Sequence, residues 1–255
     1  MALLEARNVT KIFDADGKSP HVVLDNVSFS VEAGEYVSLL GPSGCGKTTL
    51  LTMIGGFQYP TSGVILLDGE PVVGPSSDKG YVFQNYALFP WMTVEKNIGY
   101  GLKFSGMSEQ EKRDQLDFML EMAHLKGHEK KYPIQLSGGM QQRVAVARAV
   151  ACKPKVLLLD EPLGAIDFQM RELMQNQLDE MIRAANTTVV MVTHDVAESV
   201  FMSDRVIVMG SERGQILEEI YVDLPKPRDR ESAEFEAYIE HITPLLRRAF
   251  NRQIT

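Results

Sequence analysis

The sequence predicts an α/β fold with a mostly parallel sheet, antiparallel strands at its N-terminal end and an inserted helical subdomain. The second half of the chain contains three short apolar segments, KVLLLD, TTVVMVTH and DRVIVM, separated by segments with helical spacing. Buried strands that alternate with helices are typical of a parallel sheet covered on both faces. The first forty residues instead alternate apolar and polar positions, as in VVLDNVSFSV, which predicts half-buried strands.

Helical spacing dominates the middle of the chain, from Thr93 to about Ala151. The clearest helix follows Ser108, a residue type that caps helices, and places Leu116, Met119, Leu120 and Ala123 on one face. We therefore expect one domain over residues 1–224, with its core at about 1–90 and 152–224 and a helical subdomain at about 91–151. Residues 225–255 should form a linker and a short helical tail, because LPKPRDRE contains two prolines and Pro244 disturbs the last helical pattern.

The composition limits the function classes. The formal charge of −8 argues against non-specific nucleic-acid binding as the main activity, because a DNA-binding surface usually shows a basic excess. No apolar run approaches the roughly 18 residues of a bilayer span, and the opening MALLEARN carries charges where a signal peptide needs apolar residues. We expect a cytoplasmic protein. Its two cysteines, Cys45 and Cys152, form no metal or disulfide pattern.

A phosphate-binding loop is predicted between a strand and a helix. The stretch GPSGCGKTT matches the P-loop pattern, in which backbone N–H groups wrap phosphates, the lysine reaches the β- and γ-phosphates and the following hydroxyl holds Mg²⁺. The residues of this predicted cradle are Gly41, Pro42, Ser43, Gly44, Cys45, Gly46, Lys47, Thr48 and Thr49.

Acidic and polar residues follow other predicted strands. VLLLDEP places Asp160 and Glu161 at the carboxyl end of a buried strand, the end where ligands bind in open α/β sheets. Asp160 suits Mg²⁺, and Glu161 suits a general base on the attacking water. His194 follows a third apolar strand and Gln84 ends GYVFQ. Each of these two alone is more typical of a locally bonded strand end, but together with the P-loop they are candidate contacts to the γ-phosphate, to Mg²⁺ or to the lytic water.

A second phosphate-binding element is LSGGMQQR, whose serine and glycines open onto a helical run. Such a helix start aims free N–H groups and the helix dipole at an anion. The alternative is that Ser137 simply caps the helix RVAVARAVA, and capping is compatible with anion binding.

These elements occur in one order and together resemble the nucleotide-binding subunit of ATP-binding cassette (ABC) transporters, over about Leu3 to Leu224. The resemblance implies that Lys47, Thr48 and Thr49 bind phosphate and Mg²⁺, that Asp160 binds the metal, and that Glu161 and His194 act on the water and the γ-phosphate. Gln84 would be the Q-loop residue that senses the nucleotide and the membrane partner. Phe13 would stack on adenine. Asp167 would be the D-loop aspartate, although Gly164 and Ile166 differ from the residues usual at these positions in the family.

The same resemblance implies the partners. Two cassettes pack head to tail in this family, so that Ser137, Gly138 and Gly139 of one copy close over the ATP of the other. A separate permease supplies the pore, and a solute-binding protein outside the membrane acts with it, which would place this chain as a peripheral subunit on the cytoplasmic face of the inner membrane. The stretch QNYALFPWMTVEKNI and the later PRDR are similar to importers of nitrate, sulfonates and taurine.

Three rival functions are to be weighed, of which the first shares the same ATP chemistry. A soluble ABC ATPase acting on DNA or the ribosome would need a coiled-coil insert or a second cassette, for which this chain has no room. A P-loop kinase or GTPase would not carry LSGG. The third rival is an ABC ATPase that drives export or the extraction of lipid or lipoprotein. Only the short importer-like stretches argue against it.

Overall fold

The computed structural model describes residues 2–14, 20–164 and 168–251. The chain divides into two compact units, one formed by Met1–Ser76 with Thr188–Thr255 and the other by Ser77–Thr187. The predicted core at about 1–90 and 152–224 and the helical subdomain at about 91–151 stay predictions, since this division of the chain follows different boundaries.

The first unit begins with the strands that the alternating pattern predicts. Its N-terminal elements are β1 (Ala2–Phe13), β2 (His21–Glu32), β3 (Tyr36–Leu40), α1 (Lys47–Ile54), β4 (Ser62–Leu67) and β5 (Glu70–Pro71). Four of these strands form an antiparallel sheet in the order β2-β1-β4-β5. Helix α1 ends at Gly55, as its sequence pattern predicts.

The second unit carries the helical middle of the chain. Its elements are β6 (Lys79–Val82), α2 (Val94–Ile98), α3 (Glu109–Met122), α4 (Gly138–Ala151), β7 (Val156–Asp160) and α5 (Phe168–Ala185), with 3-10 turns at Gly101–Phe104 and Pro133–Gln135. Ser108 caps α3 in a reciprocal capping box with Glu111, because each satisfies a backbone N–H that the first turn leaves open. Strands β6 and β7 pair in parallel.

The chain then returns to the first unit through β8 (Thr188–Thr193), α6 (Val196–Met202), β9 (Arg205–Met209), β10 (Ile216–Tyr221) and α7 (Ala233–Asn251). Strand β3 pairs in parallel with both β8 and β9, and β10 pairs antiparallel with β9. Every residue of β3, β8 and β9 is buried, which is the burial expected of parallel strands covered on both faces. Leu40 lies opposite Thr193 and Val208, so the three carboxyl ends share one edge.

The C-terminal region is anchored more firmly than a linker would be. Arg228, in the PRDR stretch, is buried and donates hydrogen bonds to the carbonyl oxygens of Val200, Phe201 and Ser203 at the end of α6, and to that of Val222. A guanidinium here satisfies carbonyls that a helix end leaves open. Helix α7 is also longer than predicted, with 19 residues, and continues through Pro244.

Arg205 joins the two sheets of the first unit. This residue begins β9 and donates to both carboxylate oxygens of Glu35, at 2.7 and 3.0 Å, and to Glu219 at 2.6 Å. A fourth bond reaches the carbonyl of Ser30, in the antiparallel sheet. The side chain of Arg205 is only 6% exposed, so its removal would leave carboxylates in a partly buried site without their cation.

We therefore expect Arg205→Met to lower the free energy of unfolding by about 3 kcal/mol, the cost typical of breaking a buried ion pair. Urea unfolding followed by circular dichroism measures this. The matched control is Arg213→Met, which breaks the exposed pair between Arg213 and Asp25 and should cost less than about 1 kcal/mol. Equal losses in the two variants would show that Arg205 is not the central tie.

Candidate functional site

The loop from Gly41 to Thr49 connects the buried strand β3 to α1, and its shape requires glycine. Gly44 and Gly46 have φ angles of 82° and 103°, in the left-handed region that side chains avoid. A Cβ on Gly46 would lie 2.6 Å from Leu24 Cδ2, and one on Gly41 would lie 2.7 Å from the carbonyl oxygen of Met209. The loop thus opens directly into the first turn of α1, whose N–H groups suit an anion.

Lys47 is held at this loop. Its side chain is buried, and Nζ donates to the carbonyl oxygens of Gly41 at 2.7 Å and Pro42 at 2.8 Å. The ammonium is thereby kept at the loop, where a bound phosphate would meet it. Cys45 is a buried residue of the loop, and burial raises the pKa of its thiol, so a neutral small side chain fills this position.

The first unit also carries two further candidates, His194 and Phe13. His194 directly follows β8, whose last residue, Thr193, is paired with Leu40, the residue before Gly41. Its neighbour Asp195 caps α6 by accepting from the N–H of Glu198 at 3.0 Å, which orients the turn that carries His194. Phe13 ends β1 with 40% of its surface exposed, and the ammonium of Lys11 lies 4.9 Å from its ring centroid.

The second unit carries the acidic pair. Asp160 ends β7 and is buried, whereas Glu161 is half-buried and has a φ of 45°. This left-handed backbone costs a residue with a side chain of order 1–3 kcal/mol and is concentrated at functional sites. The carbonyl of Glu161 accepts from the N–H of Gly164, which closes the turn and holds its side chain at the end of the strand.

Gln84 lies against this carboxylate. Its Nε2 donates to Glu161 Oε2 at 3.2 Å, because β6 and β7 are parallel neighbours and both residues follow the ends of their strands. The amide retains Oε1 as an oxygen ligand. The structure therefore brings Gln84 and Glu161 together, as expected of residues that act on one water molecule or cation.

Tyr81 is a site residue that the sequence did not single out. Its hydroxyl donates to Asp160 Oδ2 at 3.4 Å. Burial and the charge of Asp160 raise the pKa of the phenol, so the hydroxyl keeps its proton and acts as the donor. The bond restrains Asp160. The contact arises because β6 pairs with β7, which sets Tyr81 opposite Leu158. The sequence offers no signal for this pairing.

Ser137 begins α4 in the position that both interpretations of LSGGMQQR require. It is the N-cap of the helix and accepts from the N–H of Met140 at 3.3 Å. Ser137 and Gly138 are exposed and Gly139 is half-buried, and the first turn contains no acidic residue. A helix start of this kind is open to an anion while its own cap is made. The predicted D-loop residue Asp167 lies outside the described residues.

The described ranges contain neither a group of metal-ligating side chains nor a membrane-spanning helix. Among residues 2–14, 20–164 and 168–251, no three His, Cys, Asp or Glu side chains are grouped so as to hold a metal ion. No helix in the described part of the chain is long and apolar enough to cross a membrane. Thr48 in the first unit offers a hydroxyl oxygen, and Gln84 and Asp160 in the second unit offer an amide and a carboxylate oxygen, which are donor types suited to Mg²⁺.

Known proteins share these features. A family model described as ABC transporter matches residues 24–164. An ABC transporter ATP-binding protein of Methanocaldococcus jannaschii is 46% identical over 244 residues, which covers 96% of this chain and 91% of the relative. The nitrate import ATP-binding protein NrtD of Synechocystis sp. is 44% identical over 254 residues, which covers 96% of this chain and 95% of the relative.

A solved structure is similar over nearly the same length. It is the dimeric post-hydrolysis state of an ATP-binding cassette bound to ADP and Pi, with a TM-score of 0.74 and 34% identity over 86% of this chain and 98% of that chain. The family model covers more than half of the chain, from β2 through the P-loop to Glu161. The resemblance seen in the sequence is thus confirmed: this chain belongs to the ABC transporter family of ATP-binding proteins and is an ATP hydrolase.

Proposed function

We propose that this chain is the ATP-hydrolysing subunit of an importer, which powers the entry of a small anionic or organic solute through a separate membrane permease. The observation that carries the catalytic part of this proposal is the hydrogen bond between Gln84 and Glu161. It places a neutral amide beside a carboxylate whose backbone is held in a strained turn. Such a pair is suited to hold a water molecule and accept its proton.

The other residues take the roles that the family resemblance implies. The glycine loop and Thr49 bind the phosphates, Lys47 reaches the β- and γ-phosphates, and His194 contacts the γ-phosphate. Phe13 stacks on the adenine with the part of its ring that remains exposed. Thr48, Gln84 and Asp160 would hold Mg²⁺, which would neutralise the negative charge that develops on the β- and γ-phosphate oxygens. Asp167 contributes to the same nucleotide site.

LSGGMQQR binds the ATP of a second copy. Its exposed Ser137 and Gly138, at the open start of a 14-residue helix, support a phosphate contact from outside this chain, and the similar solved cassette is described as dimeric. ATP would join two copies head to tail and hydrolysis would let them part. Shifting the closed dimer from 1% to 99% requires about 5.5 kcal/mol of differential binding.

The permease docks beside Gln84. Of the aromatic residues that follow Gln84, Tyr86 is buried, whereas Trp91 is 70% exposed. Trp91 packs on Phe89, which contacts Tyr100, and Tyr100 contacts Phe104, itself 78% exposed. This row of rings, which we call the aromatic ridge, offers an apolar surface to a segment of the permease. The chain would then act at the cytoplasmic face of the membrane, with a solute-binding protein on the other side.

Nitrate, a sulfonate or taurine is the class of cargo that we propose. The support is the similarity of QNYALFPWMTVEKNI and PRDR to importers of these solutes and the name of the nitrate-import relative. The described residues of this chain contact ATP and the permease in the proposed mechanism, so the choice of cargo would rest with the permease and the solute-binding protein.

Glu161→Gln should reduce ATP turnover by a factor of at least about 100, because a general base contributes roughly 10²–10⁴ to the rate. Phosphate release measures turnover. ATP binding should persist, and size-exclusion chromatography in ATP should show a trapped dimer. Glu180→Gln, which neutralises an exposed carboxylate in the same unit, is the control. Normal turnover by Glu161→Gln would refute the assignment of the base.

Mixing two inactive variants tests the shared site. A Ser137→Arg chain should be unable to close over ATP, and a Lys47→Ala chain should be unable to hold its γ-phosphate. A mixed dimer contains one site free of both changes, so a mixture should recover activity that neither variant has alone. Absence of recovery, with mixed dimers verified by affinity tags, would contradict a nucleotide site built from two copies.

The importer assignment is tested on the complex assembled with its co-purified permease. Addition of the solute-binding protein loaded with nitrate, a sulfonate or taurine should stimulate ATP hydrolysis. A cysteine placed at Trp91 should react more slowly with a maleimide in the complex than in the isolated chain, whereas one placed at the exposed Val73 should not change. Equal labelling at position 91 in both states would exclude docking on the aromatic ridge.

A further inference from the structure

The loop that follows Gln84 has an unusual backbone. Tyr86 and Ala87 have φ angles of 61° and 43°, so two consecutive residues with side chains occupy the left-handed region. This conformation is uncommon for any residue other than glycine and is an outlier for a bulky one such as tyrosine. It persists only where the surroundings hold it. The loop must therefore be fixed by contacts from outside its own sequence.

Arg148, near the end of α4, makes those contacts. Its Nη2 donates to the carbonyl oxygen of Tyr86 at 3.0 Å and its Nη1 to that of Ala87 at 2.9 Å. The same guanidinium lies 5.3 Å from the ring centroid of Phe89. Burial lowers the pKa of Arg148, but a guanidinium stays protonated at neutral pH. A planar fork can hold two adjacent carbonyls and stack on a ring at once, which an ammonium cannot do.

Asn97 fixes the other end of the same loop. This side chain is fully buried in α2; its Oδ1 accepts from the N–H of Phe89, and its Nδ2 donates to the carbonyl oxygens of Phe89, Met92 and Thr93. The segment from Tyr86 to Thr93 is thus held from both sides, by α2 and by α4. Gln84 precedes it by two residues and donates to Glu161.

Helix α4 begins at the cap Ser137 and runs to Arg148 and beyond without a break. Its eleven-residue rise between these two positions spans about 16 Å. One rigid element therefore carries both the residue proposed to meet the ATP of the second copy and the residue that holds the loop after Gln84.

We propose that Arg148 is a positioning residue for ATP hydrolysis. By holding the carbonyls of Tyr86 and Ala87, it keeps the carboxamide of Gln84 on Glu161 and ties this contact to the helix that begins at Ser137. This inference rests on the proposed roles of Gln84 and Glu161. It adds a specific residue through which closure of the dimer at Ser137 reaches the hydrolytic carboxylate.

Arg143 provides a matched control on the same helix. Its Nη1 donates to the carbonyl oxygens of Ala123 at 2.8 Å and His124 at 3.3 Å, and His124 also has a left-handed φ, of 51°. Burial lowers its pKa as well. Arg143→Met and Arg148→Met therefore remove the same kind of contact from one helix, but only Arg148 contacts the loop after Gln84.

Kinetics on the full chain separate positioning from simple stabilisation. Arg148→Met should lower kcat about 10-fold and leave KM for ATP within about 2-fold, because the P-loop contacts are unchanged. Arg148→Lys should fall between this variant and the unmodified chain. Combined with Gln84→Ala, Arg148→Met should cause less than about a 2-fold further loss in kcat, whereas Arg143→Met should combine multiplicatively with Gln84→Ala. Multiplicative loss for Arg148→Met and Gln84→Ala would overturn the proposal.

Hydrogen exchange gives a readout that does not depend on hydrolysis. Arg148→Met should speed amide exchange in the peptide covering residues 84–92 about 10-fold or more and leave that covering 123–131 unchanged, and Arg143→Met should do the reverse. Unchanged exchange at 84–92 in Arg148→Met would also overturn the proposal. An unmodified chain that failed to hydrolyse ATP would refute the proposed function, while the exchange data would still decide whether Arg148 holds the loop.

Discussion

The parallel pairing of β3 with β8 and β9 is the constraint on which the first unit depends. All sixteen residues of these strands are buried, so their backbone groups have little alternative to bonding with one another. Because the strands run in the same direction and are in register at Leu40, Thr193 and Val208, their carboxyl ends meet at one edge. The glycine loop and His194 both begin there, and Met209 packs against the loop. The apolar sequences of these strands therefore determine where the glycine loop and His194 lie.

Three residues in or beside the candidate site of the second unit have strained backbones. Glu161, Tyr86 and Ala87 all have left-handed backbones, each of which costs of order 1–3 kcal/mol. A hydrogen bond within its own turn, from the N–H of Gly164, holds Glu161, and Arg148 from α4 holds the other two. Such over-determined geometry keeps the carboxylate of Glu161, the amide of Gln84 and the loop that follows Gln84 in a fixed relation. A loop held this way also transmits a displacement of α4 instead of absorbing it.

Arginine has a recurring role in this chain. Arg228 donates hydrogen bonds to the carbonyls at the end of α6, and Arg205 joins two sheets through Glu35 and Ser30. Arg148 holds a strained loop. In each case one buried or half-buried guanidinium serves two or more oxygens, because its planar donors can reach several acceptors at fixed angles. The C-terminal PRDR stretch is thereby tied to the helix that follows His194, and Arg230 adds a stack on Phe201. The segment whose prolines predict a linker thus makes buried hydrogen bonds to the end of α6.

The sequence by itself determined the elements whose signals are local. Glycines at Gly44 and Gly46 predict a loop that only they can form, Ser108 and Ser137 predict helix starts, and unbroken apolar runs predict the buried strands. These follow from backbone sterics and from burial, which act within a few residues. Tertiary structure alone decided that Tyr81 bonds to Asp160 and that Gln84 bonds to Glu161. It also decided which carbonyls the arginines hold. Those bound by Arg148 lie 61 or more residues away in the sequence, and those bound by Arg228 lie 6 to 28 residues away. The reason is physical: strand order and the return of a distant helix set these contacts, and no local pattern records which strand becomes a neighbour.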